Sequence, residues 1–130
     1  MKYLVTAKEM RRFDTNTIEK IGIPAIVLME RAALAVLEAV ERYCASCQKV
    51  QKLTALVLAG MGNNGADGLA LARLLSERGF TVEVWSAGDS GKAGELWMRQ
   101  RKILENYSVQ FVTEPTQMEY TVMIDALFGV

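Results

Sequence analysis

The run Gly60-Met61-Gly62-Asn63-Asn64-Gly65-Ala66-Asp67-Gly68 concentrates chemistry-bearing groups in nine residues. Gly60, Gly62 and Gly65 satisfy G-x-G-x-x-G, a spacing that allows a tight turn, positive φ and close approach of a ligand to backbone N–H groups. Asn63 and Asn64 bring two carboxamides, each with donors and an acceptor, where small residues would suffice. Asp67 adds a carboxylate in what should be the first helical turn. As a purely electrostatic device it is worth under ~1 kcal/mol there, and it would repel a phosphate held close. A bound cation or a hydroxyl-bearing ligand would give it a purpose. A second candidate is Asp125-Ala126-Leu127-Phe128-Gly129. If Asp125 ends a parallel strand, its carboxylate and the Asn64 side-chain oxygen can share a hard cation with backbone carbonyls and water. The alternative role for Asp125 is a turn or helix cap.

Other chemistries find little support. The chain has no histidine, which removes the commonest metal ligand and general base. It has no G-x-x-x-x-G-K-[ST], so a P-loop is excluded. Glu83 lies at about the right distance for a ribose-binding acid but falls inside a strand, and is not assigned. Cys44 and Cys47 have C-x-x-C spacing at the polar end of a helical segment, whereas a redox pair belongs at a helix start. They read as incidental thiols. Fifteen basic residues balance fifteen acidic ones, and no basic, aromatic-interleaved stretch points to nucleic acid. The N-terminus lacks the apolar core of a signal peptide, and charges interrupt every apolar run. A cytoplasmic protein with no membrane partner is expected.

The elements that must position these groups follow from periodicity. Thr6-Ala7-Lys8-Glu9 has capping-box form and opens a helix running toward Ile21, stopped by Gly22. Pro24 suits the first turn of a second, long helix, whose core stripe is Ile26, Met29, Ala33, Leu37, Val40 and Cys44. Leu53 to Ala59 is a nearly continuous apolar run, as in a buried parallel strand. Helical spacing returns from Leu69 to Arg78. A strand over Thr81–Trp85, a helix over Gly91–Tyr107 aligned on Leu96, Arg99, Ile103 and Tyr107, and strands over Val109–Val112 and Tyr120–Asp125 complete the pattern. Alternating strands and helices in one domain of 130 residues imply an α/β fold with a parallel sheet and right-handed crossovers. In such sheets ligands bind beyond the carboxyl ends of the strands.

Four segments together resemble the YjeF N-terminal domain family, whose enzymes are NAD(P)H-hydrate (NAD(P)HX) epimerases. These are Thr6-Ala7-Lys8-Glu9-Met10; Gly22-Ile23-Pro24 with Leu28-Met29-Glu30-Arg31-Ala32; Gly60 to Gly68; and Asp125 to Gly129. The resemblance implies a Rossmann-like three-layer αβα sandwich with a mainly parallel sheet. It also implies interconversion of the R and S epimers of hydrated NADH or NADPH, in nicotinamide nucleotide repair. Carried over residue by residue, Asn63, Asn64, Gly65, Ala66 and Asp67 contact NADHX or NADPHX. Gly129 and Val130 open a second substrate loop, and Asn64 with Asp125 binds a potassium ion. Ala66 and Ala33 stand where the family usually has glycine; an alanine is tolerated at the first if its φ is negative. The family's later D-x-P-S-G segment, which supplies an acid at the reacting ring, is not in these 130 residues. No catalytic residue is assigned, and the chain is expected to be the N-terminal part of the domain, without the sheet's last strands.

Two other functions compete. A non-catalytic nucleotide-binding or interaction module fits a chain that carries only part of the site. An NAD-dependent dehydrogenase fits the glycines but not Asn63, Asn64, Asp67 or the placement of Glu83. The long N-terminal helix together with the resemblance makes a homodimer an expectation.

Overall fold

The computed structural model describes residues 2–47 and 52–128. The Thr6 capping box forms: the Glu9 N–H donates to Thr6 Oγ1 at 3.2 Å and the Thr6 N–H to Glu9 Oε2 at 2.7 Å. It starts α1 (Ala7–Asn16), which buries none of its residues. The helix widens over Thr17–Ile21 into a π turn, where Thr17 Oγ1 donates back to the Phe13 carbonyl and the Gly22 N–H reaches the Thr17 carbonyl. Gly22 then takes φ 90°, a left-handed conformation that ends the helix without a Cβ penalty.

Pro24 caps α2 (Ala25–Ser46), which buries Met29, Ala33, Leu37 and Val40, with Ile26 and Cys44 half-buried on the same stripe. Four parallel strands follow: β1 (Thr54–Ala59), β2 (Thr81–Ser86), β3 (Val109–Val112) and β4 (Val122–Ala126), in the order β3-β2-β1-β4. Between them lie α3 (Asn63–Glu77) and α4 (Glu95–Leu104). The fold is Rossmann-like α/β, a mainly parallel sheet flanked by helices.

Alternation along the strands sorts two faces. Ala55, Val57 and Ala59 of β1 and Val82 and Val84 of β2 join α2, α3 and α4 in one buried cluster, with Val122 and Ile124 packed against it. Leu37, Leu69 and Leu75 are fully buried there, each contributing about 1.5–3 kcal/mol of apolar burial. Helix α3 is central, which explains why Leu69 to Ala72 are buried on every side rather than along a stripe. The other face carries Leu56, Glu83, Trp85, Met123 and Asp125. The chain from β3 to β4 crosses this face: Thr116 Oγ1 donates to Glu83 Oε1 at 2.6 Å and Tyr120 Oη to Oε2 at 2.8 Å. These bonds hold the Glu83 carboxyl below the usual carboxylate range, despite the opposing effect of its burial. Glu83 is therefore the anchor of a crossover.

Three element expectations need correction. The first helix is α-helical only to Asn16. The α4 helix spans Glu95–Leu104 rather than Gly91–Tyr107, and its core face is Trp97, Gln100 and Leu104, one residue out of phase with the expected Leu96–Arg99–Ile103–Tyr107 alignment. Leu96-Trp97-Met98 and Ile103-Leu104 offer two adjacent stripes of equal spacing, and Trp97 prevails by the larger area it buries. Finally, α3 begins at Asn63, ahead of the helical spacing read from Leu69, so Asp67, expected in the first turn, falls in the second. Because Asn64, Gly65 and Asp67 have little helix propensity, tertiary packing of the first turn decides this boundary.

Candidate functional site

Strand β1 continues into the turn Gly60–Gly62, and β4 emerges beside it. Because β1 leads through α3 to β2 on one side while β4 lies on the other, the sheet order reverses at β1/β4. That is where open α/β sheets bind ligands. The backbone welds the two strand ends together: the Gly60 N–H donates to the Ala126 carbonyl at 2.9 Å.

The glycines serve this closeness. A Cβ on Gly65 would lie 1.8 Å from the Gly60 carbonyl oxygen, and one on Gly60 would lie 2.2 Å from the Leu127 oxygen. The expected positive φ is found at none of Gly60, Gly62 and Gly65; among the described glycines it occurs at Gly22, Gly79 and Gly88. Backbone contact within the protein, rather than left-handed conformation, is what requires glycine here. Ala66 has negative φ and is fully buried, so its methyl group packs without strain.

Gly62 is the N-cap of α3 and its carbonyl accepts the first helical bond, from the Ala66 N–H at 3.0 Å. The N–H groups of Asn63, Asn64 and Gly65 therefore lie ahead of the intrahelical ladder, in the arrangement that receives anions. Asp67 is one full turn further in.

The two asparagines part company. Asn64 turns toward β4, where its Nδ2 donates to the Phe128 carbonyl at 2.6 Å. Since that carbonyl can only accept, the amide orientation is settled and Oδ1 is left for another partner. Asn64, Asp67 and Asp125 line one cavity of 180 Å³, closed by Ala33 of α2 and Ile124 and Ala126 of β4. Asp125 pairs in register with Leu58 and its Oδ1 accepts from the Leu127 N–H at 3.1 Å. Its carboxylate thus forms the expected turn cap, while the residue lines the cavity from the end of β4. Asn63 instead faces a larger cleft of 550 Å³ beneath α1, and Asp67 reaches both spaces. Partial burial, together with the negative charge of Asp14, pushes the Asp67 carboxyl up to about 6.

Gly65 and Ala66 are buried, and so would act through the turn they hold rather than through side chains. Gly129 and Val130 lie outside the described residues. Spacing did not mark Glu30 and Arg73 as a pair, but they bind α2 to α3, with Glu77 on the same guanidinium. Cys44 and Cys47 are free thiols at the α2 C-terminus; burial pushes Cys44 up, the opposite of a reactive thiolate.

Comparison with known proteins decides the family. The YjeF-related protein N-terminus family matches residues 25–130. This chain belongs to that family. Among YjeF-related relatives, the NAD(P)H-hydrate epimerase of Leuconostoc citreum is 42% identical over 127 residues, 98% of this chain and 55% of the relative. That of Oenococcus oeni is 44% identical over 128 residues, 97% of this chain and 59% of the relative. The crystal structure of yeast ynu0 superposes with a TM-score of 0.83 at 26% identity, covering 98% of this chain and 57% of that one. The chain thus spans little more than half the length of these relatives. No described helix is long and apolar enough to cross a membrane.

Proposed function

We propose that this chain carries the substrate-binding face of an NAD(P)HX epimerase. The observation that carries the reading is the convergence of Asn64, Asp67 and Asp125 on one cavity at the β1/β4 switch point of a YjeF-related fold. The free N–H groups at the start of α3 suit the substrate's phosphates, and Asn63, Asn64 and Asp67 suit its hydroxyl and amide groups, while Gly65 and Ala66 hold the turn. The named function of the similar Leuconostoc and Oenococcus proteins supports the same substrate class. Epimerisation requires the ring hydroxyl to leave and return, or an equivalent ring opening, assisted by a proton donor. Asp67, with its carboxyl pushed up to about 6, is the described group in the site most readily protonated near neutral pH. Incubating the chain with either epimer of NADHX, with potassium present, and following the epimer ratio by chromatography tests the activity. A ratio that relaxes no faster than in buffer removes the claim.

The donor set also suits a monovalent hard cation. Among the described residues no three His, Cys, Asp or Glu side chains converge to hold a metal. The free Asn64 Oδ1 and the Asp125 carboxylate instead offer oxygen donors of low total charge. We assign potassium to this pair; when bound, it would neutralise carboxylate charge and order the β4 loop against α3. Asp125→Ala should abolish any potassium dependence of substrate binding. An unchanged potassium response in that variant would refute the assignment.

The second reading is a non-catalytic nucleotide-binding or interaction module. It predicts NADHX binding without epimerisation.

A further inference from the structure

We propose that the cleft between α1 and the start of α3 is a ring subsite, in which Asp14 accepts hydrogen bonds from an uncharged, donor-bearing ring of the substrate. This rests on the reading of the chain as an NAD(P)HX-binding domain and adds a residue from α1 to its binding surface.

The cleft has a volume of 550 Å³, within the range of small-molecule sites of about 300–1,000 Å³. Its walls come from five helical elements. Ile18, Leu28, Met29 and Leu96 supply apolar surface from the π turn, α2 and α4. Asp14 lines it with Asn63 and Asp67, and among the described residues Arg11 is the only cation in its lining. Two carboxylates against one guanidinium leave an acceptor-rich space that disfavours phosphate and favours a neutral ring bearing N–H or O–H groups. The hydrated nicotinamide ring offers its hydroxyl and carboxamide; adenine offers its exocyclic amine.

Among the described residues nothing structural accounts for Asp14. Helix α1 buries no residue, so the fold does not use this side chain for packing. The ion pairs among the described residues join Arg73 to Glu30 and Glu77, and Arg78 to Glu41; Asp14 is in none of them. Its charge does reach the opposite wall, where it contributes to raising the Asp67 carboxyl.

The test is calorimetric titration of the full chain with NADHX in potassium buffer, comparing Asp14→Ala and Asp14→Glu with the parent. Loss of a charge-assisted hydrogen bond should weaken binding about tenfold or more in Asp14→Ala, with thermal midpoint and helix content unchanged. Asp14→Glu, which keeps an acceptor, should recover most of the loss. Parent binding with Asp14→Ala within twofold of it overturns the subsite alone. No binding by the parent overturns the function proposed above, and the subsite with it. Repeating the titration with hydrated reduced nicotinamide mononucleotide and with adenosine monophosphate identifies the ring: only the ligand whose ring occupies the cleft should respond to Asp14→Ala.

Discussion

At the residue scale, the contrast between Gly65 and Gly62 separates two reasons for a glycine. A methyl group at Gly65 drives into the Gly60 carbonyl, whereas at Gly62 it meets nothing within 4 Å. Gly65→Ala should therefore cost about 3 kcal/mol in urea unfolding, and Gly62→Ala under about 1 kcal/mol, through its poorer N-cap alone. Asp67 gives a pH-dependent counterpart. Its folded-state carboxyl titrates at about 6 against 3.8 for the free side chain, so the native protein holds a proton that the unfolded chain has released. Its contribution to stability is present below about pH 4, is lost as pH rises to about 6, and is constant above that. Asp67→Asn mimics the protonated group. It should stabilise the fold at pH 7, by on the order of 1 kcal/mol once solvent screening of the half-exposed carboxyl is allowed for, and leave pH 4 stability unchanged. The same variant should bind NADHX more weakly. Thermal unfolding at the two pH values and a titration check both halves. The residue types at this site were legible in the sequence, because an N-N-G-x-D-G run beside an apolar strand has few structural uses. Which asparagine faces which cavity was not, because adjacent residues on a helix point about 100° apart and only the packing of α3 sets its rotation.

At the element scale, α1 and the β3–β4 crossover are held by opposite means. The helix has a complete capping box and no buried residue. Thr6→Ala should consequently lower helicity by circular dichroism without moving the global unfolding midpoint, since α1 contributes little to the cooperative core. The crossover is short and depends on Glu83, which is buried and accepts from both Thr116 and Tyr120. Glu83→Gln keeps the shape but replaces one acceptor oxygen with a donor facing a hydroxyl or N–H. A loss of about 1–3 kcal/mol is expected, measurable as a lower urea midpoint. Periodicity revealed the α2 stripe and all four strands, because long amphipathic and short apolar runs have few alternatives. It missed the start of α3, the face of α4 and the role of Glu83. Each is decided by a partner distant in sequence: Gly60 and β4 for the first, α2 and α3 for the second, and a turn more than thirty residues away for the third.

At the scale of the whole molecule, the two tryptophans report on the two sides of the sheet. Trp97 is packed into the helix layer at 6% exposure, while Trp85 lies on the other face at 37%. Acrylamide quenching should resolve one protected and one accessible fluorophore, and replacing Trp85 with phenylalanine should remove the accessible one. A single uniform quenching constant would contradict this packing. The sequence by itself determined the alternating α/β pattern, the glycine-rich turn with Asn63, Asn64 and Asp67, and the pairing of that turn with Asp125. These depend on local spacing and on the rule that parallel strands share a ligand-binding end. Only the tertiary structure decided that Gly60 and Gly65 are glycines for backbone contact, that Asn63 and Asn64 serve different spaces, and that Asp67 stands between them opposite Asp14. Those outcomes depend on distances between segments that are remote in the chain, and local spacing does not encode such distances.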